Sequence, residues 1–279
     1  MNTISNDISA AQKASWNKFS PGWKKWDEIT MAFVAPHGAA ILSHLNPSGA
    51  DVILDVAAGT GEPGLSMAAR LAGGKVVLTD LSDGMLQVAR EKAAAAGVGN
   101  VEFQLADVSE LPFEDNTFDA VSCRLGYMFF PDMAAATSEM ARVLKPGGRI
   151  ATTVWAGPER NFWVTCMMQN IKKHIDVPTP PPGAPGMFRC AQPGLVAGLF
   201  AAAGLRDVVD AEVPGKLAAG SAERDWEMVT EVAAPFVAAL GGADEATVAA
   251  VKADVLAAMN ERHPDGVIDT CGISVFGTK

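Results

Sequence analysis

Residues Val52 to Gly64 read VILDVAAGTGEPG, an apolar run followed by glycines in the spacing G-x-G-x-x-G at Gly59, Gly61 and Gly64. Glycines after a buried strand let the backbone come close to a ligand and aim the next helix's N–H groups at it. Working outward, the same kind of apolar run recurs as KVVLTD (Lys75–Asp80), VEFQLAD (Val101–Asp107), FDAVSC (Phe118–Cys123) and GRIATTVW (Gly148–Trp155). Between them, MLQVAREKAAAAG and MAAATSEMARVL place apolar residues three and four apart, Met133, Met140, Val143 and Leu144 on one face. That alternation predicts an α/β fold with parallel strands joined by crossover helices.

The flanks are helical in pattern. Residues 1–48 carry the aromatic cluster WNKFSPGWKKW, in which Trp16, Phe19, Trp23 and Trp26 share one helical face if Pro21-Gly22 does not break it. This segment is expected to be a lid over a domain spanning 49–279. Beyond Trp155, NFWVTCMMQNI reads as a helix, VPTPPPGAPG as a stiff linker and GLVAGLFAAAG as a helix, with strands at RDVVDAEV and VIDTCGISVFG. Cap insertions are expected at about 158–192 and 215–265. In the second, Trp226, Val229, Ala233, Phe236, Val237 and Leu240 fall on one helical face, and Val248, Val251, Val255 and Met259 on another. Trp163, Met167, Met168, Met187, Phe188 and Trp226 are candidate pocket walls.

Composition excludes several classes. With 32 acidic and 22 basic residues the net charge is -10, and the densest cationic clusters are the pairs Lys24-Lys25 and Lys172-Lys173, so a phosphate backbone is not an expected partner. The four cysteines are widely spaced, without C-x-x-C or a nearby histidine pair, which argues against a zinc site and a disulfide scaffold and suits a reducing cytoplasm; no metal is expected. The opening MNTISNDISAAQKASW has no basic-then-apolar pattern, and the uncharged stretch Cys190–Leu205 is broken by Pro193 and three glycines. Stable membrane insertion is not expected.

In an open parallel sheet ligands bind at the strands' carboxyl ends. A doubly charged pyrophosphate sits badly with Asp55 four residues before the first glycine and Glu62 among the glycines, whereas a phosphate-free cofactor carrying a sulfonium and an ammonium suits them. S-adenosylmethionine is such a cofactor. Asp80 ends the second strand, where a carboxylate can accept both ribose hydroxyls, and Asp107 ends the third, placed for an adenine amino group.

VILDVAAGTGEPG, VVLTDLSDGML, LADVSELPFEDNTFDAVSC and RVLKPGGRIATTVW, in this order, resemble the class I S-adenosylmethionine-dependent methyltransferases, in the broad group that includes the ubiquinone and menaquinone C-methylases. The resemblance implies a Rossmann-like seven-stranded sheet whose last strand is antiparallel. It also implies that backbone around Ala57 and Gly59 holds the methionine amino group, Asp80 the ribose, and Asp107 with Val108 the adenine, Arg124 lying beside the methionine moiety. The candidate cofactor set is Asp55, Ala57, Gly59, Thr60, Gly61, Asp80, Leu81, Met85, Asp107, Val108, Arg124 and Trp23. After RVLKPGG the chain departs from the quinone C-methylases: its V-W-x-x-P-x-x-N-x-W form looks like a varied set of small-molecule methyltransferases.

Candidate general bases are Tyr127, His37 and His174. The expected function is methyl transfer by in-line displacement onto a small apolar or aromatic acceptor at oxygen, carbon, sulfur or nitrogen. The rivals are a nicotinamide-dependent oxidoreductase and a non-catalytic cofactor-binding protein of the same fold. A nucleic-acid methyltransferase would place an N-P-P-Y-like segment where C-R-L-G-Y-M stands.

Overall fold

The computed structural model describes residues 3–181, 183–218 and 220–279. Residues 1 and 2 of the expected lid, Pro182 of the first expected insertion and Ala219 of the second lie outside them. Seven strands, β1 (Val52–Val56), β2 (Lys75–Asp80), β3 (Val101–Leu105), β4 (Phe118–Arg124), β5 (Leu144–Trp155), β6 (Arg206–Ala218) and β7 (Val267–Thr278), form one sheet in the order β3-β2-β1-β4-β5-β7-β6. β7 alone runs antiparallel to its neighbours. Successive residues of β1 face opposite cores: Ile53 packs in the cluster of Ile41, Leu65 and Leu86, while Leu54 and Val56 belong with Phe33, Val121 and Met140. Both faces are covered, which is why VILDV and KVVLTD read as nearly unbroken apolar runs.

The helices are α1 (Thr3–Lys25), α2 (Asp27–Leu45), α3 (Gly64–Ala68), α4 (Asp83–Ala96), α5 (Met133–Val143), α6 (Phe162–His174), α7 (Leu195–Ala202), α8 (Ala222–Val232), α9 (Ala234–Leu240) and α10 (Glu245–Arg262). α1 passes unbroken through Pro21. Proline there cannot donate to the carbonyl of Asn17, and that oxygen accepts the Ser20 hydroxyl at 3.0 Å instead. α6 packs on α10, α8 packs on α10 and α1, and so the helices of the two insertions form one layer beneath α1.

Three boundaries differ from the sequence pattern. β5 starts at Leu144, taking in the Lys-Pro-Gly-Gly turn, because Phe118 of β4 already pairs with Leu144. β6 runs past Val213 to Ala218 because β7 pairs with it throughout, Pro214 opposite Cys271; an edge strand tolerates a proline that cannot donate. The apolar face expected from Trp226 to Leu240 is two helices, since the chain turns extended at Ala233 ahead of Pro235.

The V-W-x-x-P-x-x-N-x-W segment is a structural buckle. Asn161, fully buried, donates through Nδ2 to the carbonyls of Ala156, Gly157 and Cys271 at 3.1, 3.2 and 2.9 Å and accepts the Cys271 N–H at 3.1 Å, tying the end of β5 to β7. No helix among the described residues is long and apolar enough to cross a membrane.

Candidate functional site

The carboxyl ends of β1, β2, β3 and β4 open into one cleft at the point where the strand order reverses between β1 and β4. Its floor is the β1–α3 loop. Gly59 has φ +54 and donates its N–H to Asp80 Oδ2 at 2.9 Å, while Ser82 N–H reaches Asp80 Oδ1 at 2.8 Å. Asp80 is 8% exposed and burial raises its pKa above the ordinary carboxylate range. Two non-glycine residues of the cleft wall, Ala57 at φ +53 and Leu125 at φ +57, hold the left-handed conformation, a strain that concentrates at ligand sites.

Asp107 stands just beyond β3, Oδ1 accepting Ser109 N–H at 2.9 Å and Oδ2 accepting the Ser9 hydroxyl at 2.8 Å. Ser9 belongs to α1, whose Ser9, Gln12, Trp16 and Trp23 roof the cleft. Asn17 Oδ1 fastens the roof by accepting from Ser82 Oγ at 2.7 Å and Gly84 N–H at 3.0 Å at the start of α4. Trp16 meets Phe129 edge-on with centroids 5.4 Å apart, and Lys24 pairs with Glu91 of α4 at 2.6 Å. Thr60 lines the floor and donates to Asp27 Oδ1 at 3.2 Å, the same oxygen that Lys92 holds at 2.8 Å.

Ten of the candidate cofactor residues line this cleft together: Trp23, Ala57, Gly59, Thr60, Asp80, Leu81, Met85, Asp107, Val108 and Arg124. Asp55 and Gly61 do not. Asp55 is fully buried, Oδ1 accepting the Ser122 hydroxyl at 2.5 Å and Oδ2 the Gly64 N–H at 3.0 Å, and burial pushes its carboxyl up to about 7. It braces the loop from behind: a side chain at Gly64 would come within 2.8 Å of Oδ2. Gly61, at φ +106, packs against Leu65 and Ala89. Glu62 turns to Ser66 N–H at 3.2 Å and is absent from the cleft wall. The charge argument drawn from Asp55 and Glu62 is therefore corrected: the acidic groups of the cleft are Asp80 and Asp107.

None of the three candidate bases lines the cleft. Tyr127 is fully buried, its hydroxyl bonded to Thr137 Oγ1, and burial raises its pKa. His37 is 1% exposed, edge-on to Trp155 at 4.7 Å, and pushed down to about 3 by burial and by Arg124. His174 lies at the end of α6 with Nε2 2.9 Å from Asp254. The candidate walls Trp163, Met167 and Trp226 are buried in the core, with Met168, Met187 and Phe188 packed against it. The walls are instead Met31, Val34, Phe129, Phe130 and Pro131. The FFP run after β4 carried a signal in its aromatic pair; Ser9, alone in a small polar stretch, carried none.

The residues fit an adenosine cofactor without phosphate: two carboxylates at successive strand ends, close backbone at Gly59, and apolar walls. Residues 53–148 match the family model described as a methyltransferase domain. The chain is 44% identical over 108 residues to the ubiquinone/menaquinone biosynthesis C-methyltransferase UbiE of Idiomarina loihiensis, covering 38% of this chain and 43% of that protein. An uncharacterized Mycobacterium tuberculosis protein is 35% identical over 180 residues, 64% of this chain and 63% of that one. The chain thus spans less than half the length of the UbiE protein that it matches. The crystal structure of YcgJ from Bacillus subtilis shares the fold with a TM-score of 0.59 at 20% identity, covering 88% of this chain and 98% of that one. Residues 53–148 of this chain thus carry a methyltransferase domain.

Proposed function

We propose that this protein is an S-adenosylmethionine-dependent methyltransferase that acts on a small molecule. The observation that carries the reading is the pair Asp80 and Asp107 at successive strand ends inside one cleft roofed by α1. Asp80 binds the ribose hydroxyls, Asp107 and Val108 the adenine, and backbone at Ala57 and Gly59 the amino end of the methionine moiety, with Leu81 and Met85 against the ring. The cofactor, when bound, supplies a methyl group on a cationic sulfur. The task of this chain is then to align and to exclude water, and alignment alone can lower a barrier by about 7–11 kcal/mol. Residues 1–48 act as the lid over the 49–279 domain, Trp16, Trp23 and Phe129 closing it from solvent, and the insertions near 158–192 and 215–265 form the layer on which the lid rests.

Among the described residues no histidine or tyrosine lines the cleft wall, so the acceptor is one whose atom is nucleophilic without such a base. The activity for which the UbiE relatives are named, C-methylation in quinone biosynthesis, is one option for the acceptor class. With the charge argument from the loop withdrawn, it is the match of residues 53–148 to a methyltransferase domain that favours S-adenosylmethionine over a nicotinamide dinucleotide. Titration calorimetry with S-adenosylhomocysteine and with NADH tests the cofactor: binding of NADH alone rejects the reading. Incubation of the protein with methyl-labelled S-adenosylmethionine and an extract of the source organism, followed by mass spectrometry, tests the transfer; a cofactor that binds and labels nothing rejects catalysis.

A further inference from the structure

A second cavity, of about 460 Å³, opens on the other side of Arg124, between α2 and the start of α3. It shares Met31 and Arg124 with the cofactor cleft, so the two spaces meet at that guanidinium. α2 presents small side chains here, Ala35, Gly38 and Ala39, and a Cβ at Gly38 would meet only Pro63 Cβ at 3.9 Å. Packing does not demand this emptiness.

Arg124 is the reason to regard the space as a binding site. Among the described residues it forms no ion pair, and its one side-chain hydrogen-bond contact is from Nη2 to Met31 Sδ at 3.5 Å. Arg124 also lines the cofactor cleft, where the methionine moiety brings a carboxylate of its own; a guanidinium offers five donors, enough for a group on each side, and a thioether is a weak acceptor for one of them. Arg70, exposed in the same wall, also forms no ion pair among the described residues. Glu62 is the acidic side chain of the cavity, and one of its oxygens is engaged by Ser66 N–H at 3.2 Å. The lining thus carries two arginines and one glutamate, with Asp55 and Asp27 also near enough to act on Arg124, whereas the adjoining cleft holds Asp80 and Asp107.

We infer that this cavity is the methyl-acceptor site and that it takes a small organic carboxylate, which enters past Arg70, pairs with Arg124 and lies along the small-residue face of α2. The inference rests on the methyltransferase reading above. A carboxylate is ionised at neutral pH and needs no general base, in keeping with a cleft wall that has no histidine or tyrosine. In the transfer, a carboxylate oxygen lone pair forms the bond to the methyl carbon as the carbon–sulfur bond breaks and its electron pair stays on sulfur. Anion and sulfonium become a neutral methyl ester and a neutral thioether, and no proton moves.

The test uses the full chain saturated with S-adenosylhomocysteine and titrated with benzoate, phenylacetate and octanoate against their primary amides. At least one acid is expected to bind about tenfold or more tightly than its amide, as a charge-assisted pair at Arg124 requires. Gly38→Leu, which fills the cavity, is expected to abolish acid binding while S-adenosylhomocysteine affinity stays within about twofold; Ala39→Leu, on the exposed face of α2, serves if Gly38→Leu does not fold. Equal binding of acids and amides, no binding by any acid, or acid binding indifferent to the filling variant overturns the inference. Failure to bind S-adenosylhomocysteine at all is a different result, because it removes the methyltransferase reading itself.

Discussion

Ser9 Oγ, near the start of the chain, donates to Asp107 Oδ2 at 2.8 Å, a hydrogen bond between residues 98 positions apart. The roof of the cleft is thereby fastened to one of the two carboxylates assigned to the cofactor. Together with Asn17 of α1, which accepts from Ser82 and Gly84 at the start of α4, it holds α1 down. Hydrogen bonds to charged groups contribute about 1.5–3 kcal/mol. Ser9→Ala is expected to speed proteolytic nicking within α1 by about tenfold. Removal of residues 1–28 is expected to weaken S-adenosylhomocysteine binding; calorimetry that finds unchanged affinity would show that α1 only packs on the core.

Asp80 accepts backbone N–H groups from Gly59 and Ser82 and still lines the cleft. Asp80→Ala removes the acceptor for the ribose and leaves both N–H groups unmet. Affinity for S-adenosylhomocysteine is expected to fall between about tenfold and a hundredfold, with circular dichroism unchanged. An equally tight variant would move the ribose site elsewhere.

Tyr127→Phe separates structure from chemistry. A general base contributes about 10²–10⁴-fold in rate, yet this hydroxyl is buried against Thr137 outside the cleft wall. The variant is expected to turn over within about twofold of the parent and to lose about 1 kcal/mol of stability in urea. A rate loss of two orders of magnitude would restore Tyr127 as the base.

Asp225 of α8 is 4% exposed, and burial alone pushes its carboxyl from 3.8 to about 6. Its folded pKa is raised, so the folded state holds the proton more tightly. The stability this proton confers is complete below pH 3.8 and is lost as pH rises through about 6. Asp225→Asn is expected to gain up to about 3 kcal/mol at pH 7.5 and to flatten this part of the pH profile. Thermal melts of both proteins at pH 4.5 and 7.5 measure it, and a variant less stable than the parent at pH 7.5 contradicts the assignment.

Periodicity and turn chemistry carried most of the fold. β1, β2 and β4 were legible because both faces are buried, and α4 because Ser82 caps its start and Gly97 ends it at φ +67. The start of β5 and the far end of β6 were not, since their extra residues are strand only by pairing with β4 and β7. In the site, Asp80 and Asp107 were legible from position alone: a parallel strand's carboxyl end points to the cleft whatever surrounds it.

What the sequence by itself determined is the order of elements, the glycine loop and the strand-end carboxylates, all set by local spacing. Direction of side chains was decided only in three dimensions. Asp55 and Glu62, acidic and beside the glycines, turn to Ser122, Gly64 and Ser66, while Ser9 crosses the molecule to reach Asp107. A buried carboxyl takes whichever hydrogen-bond donors the packed chain brings to it, and those donors are neighbours in space that no sequence spacing encodes.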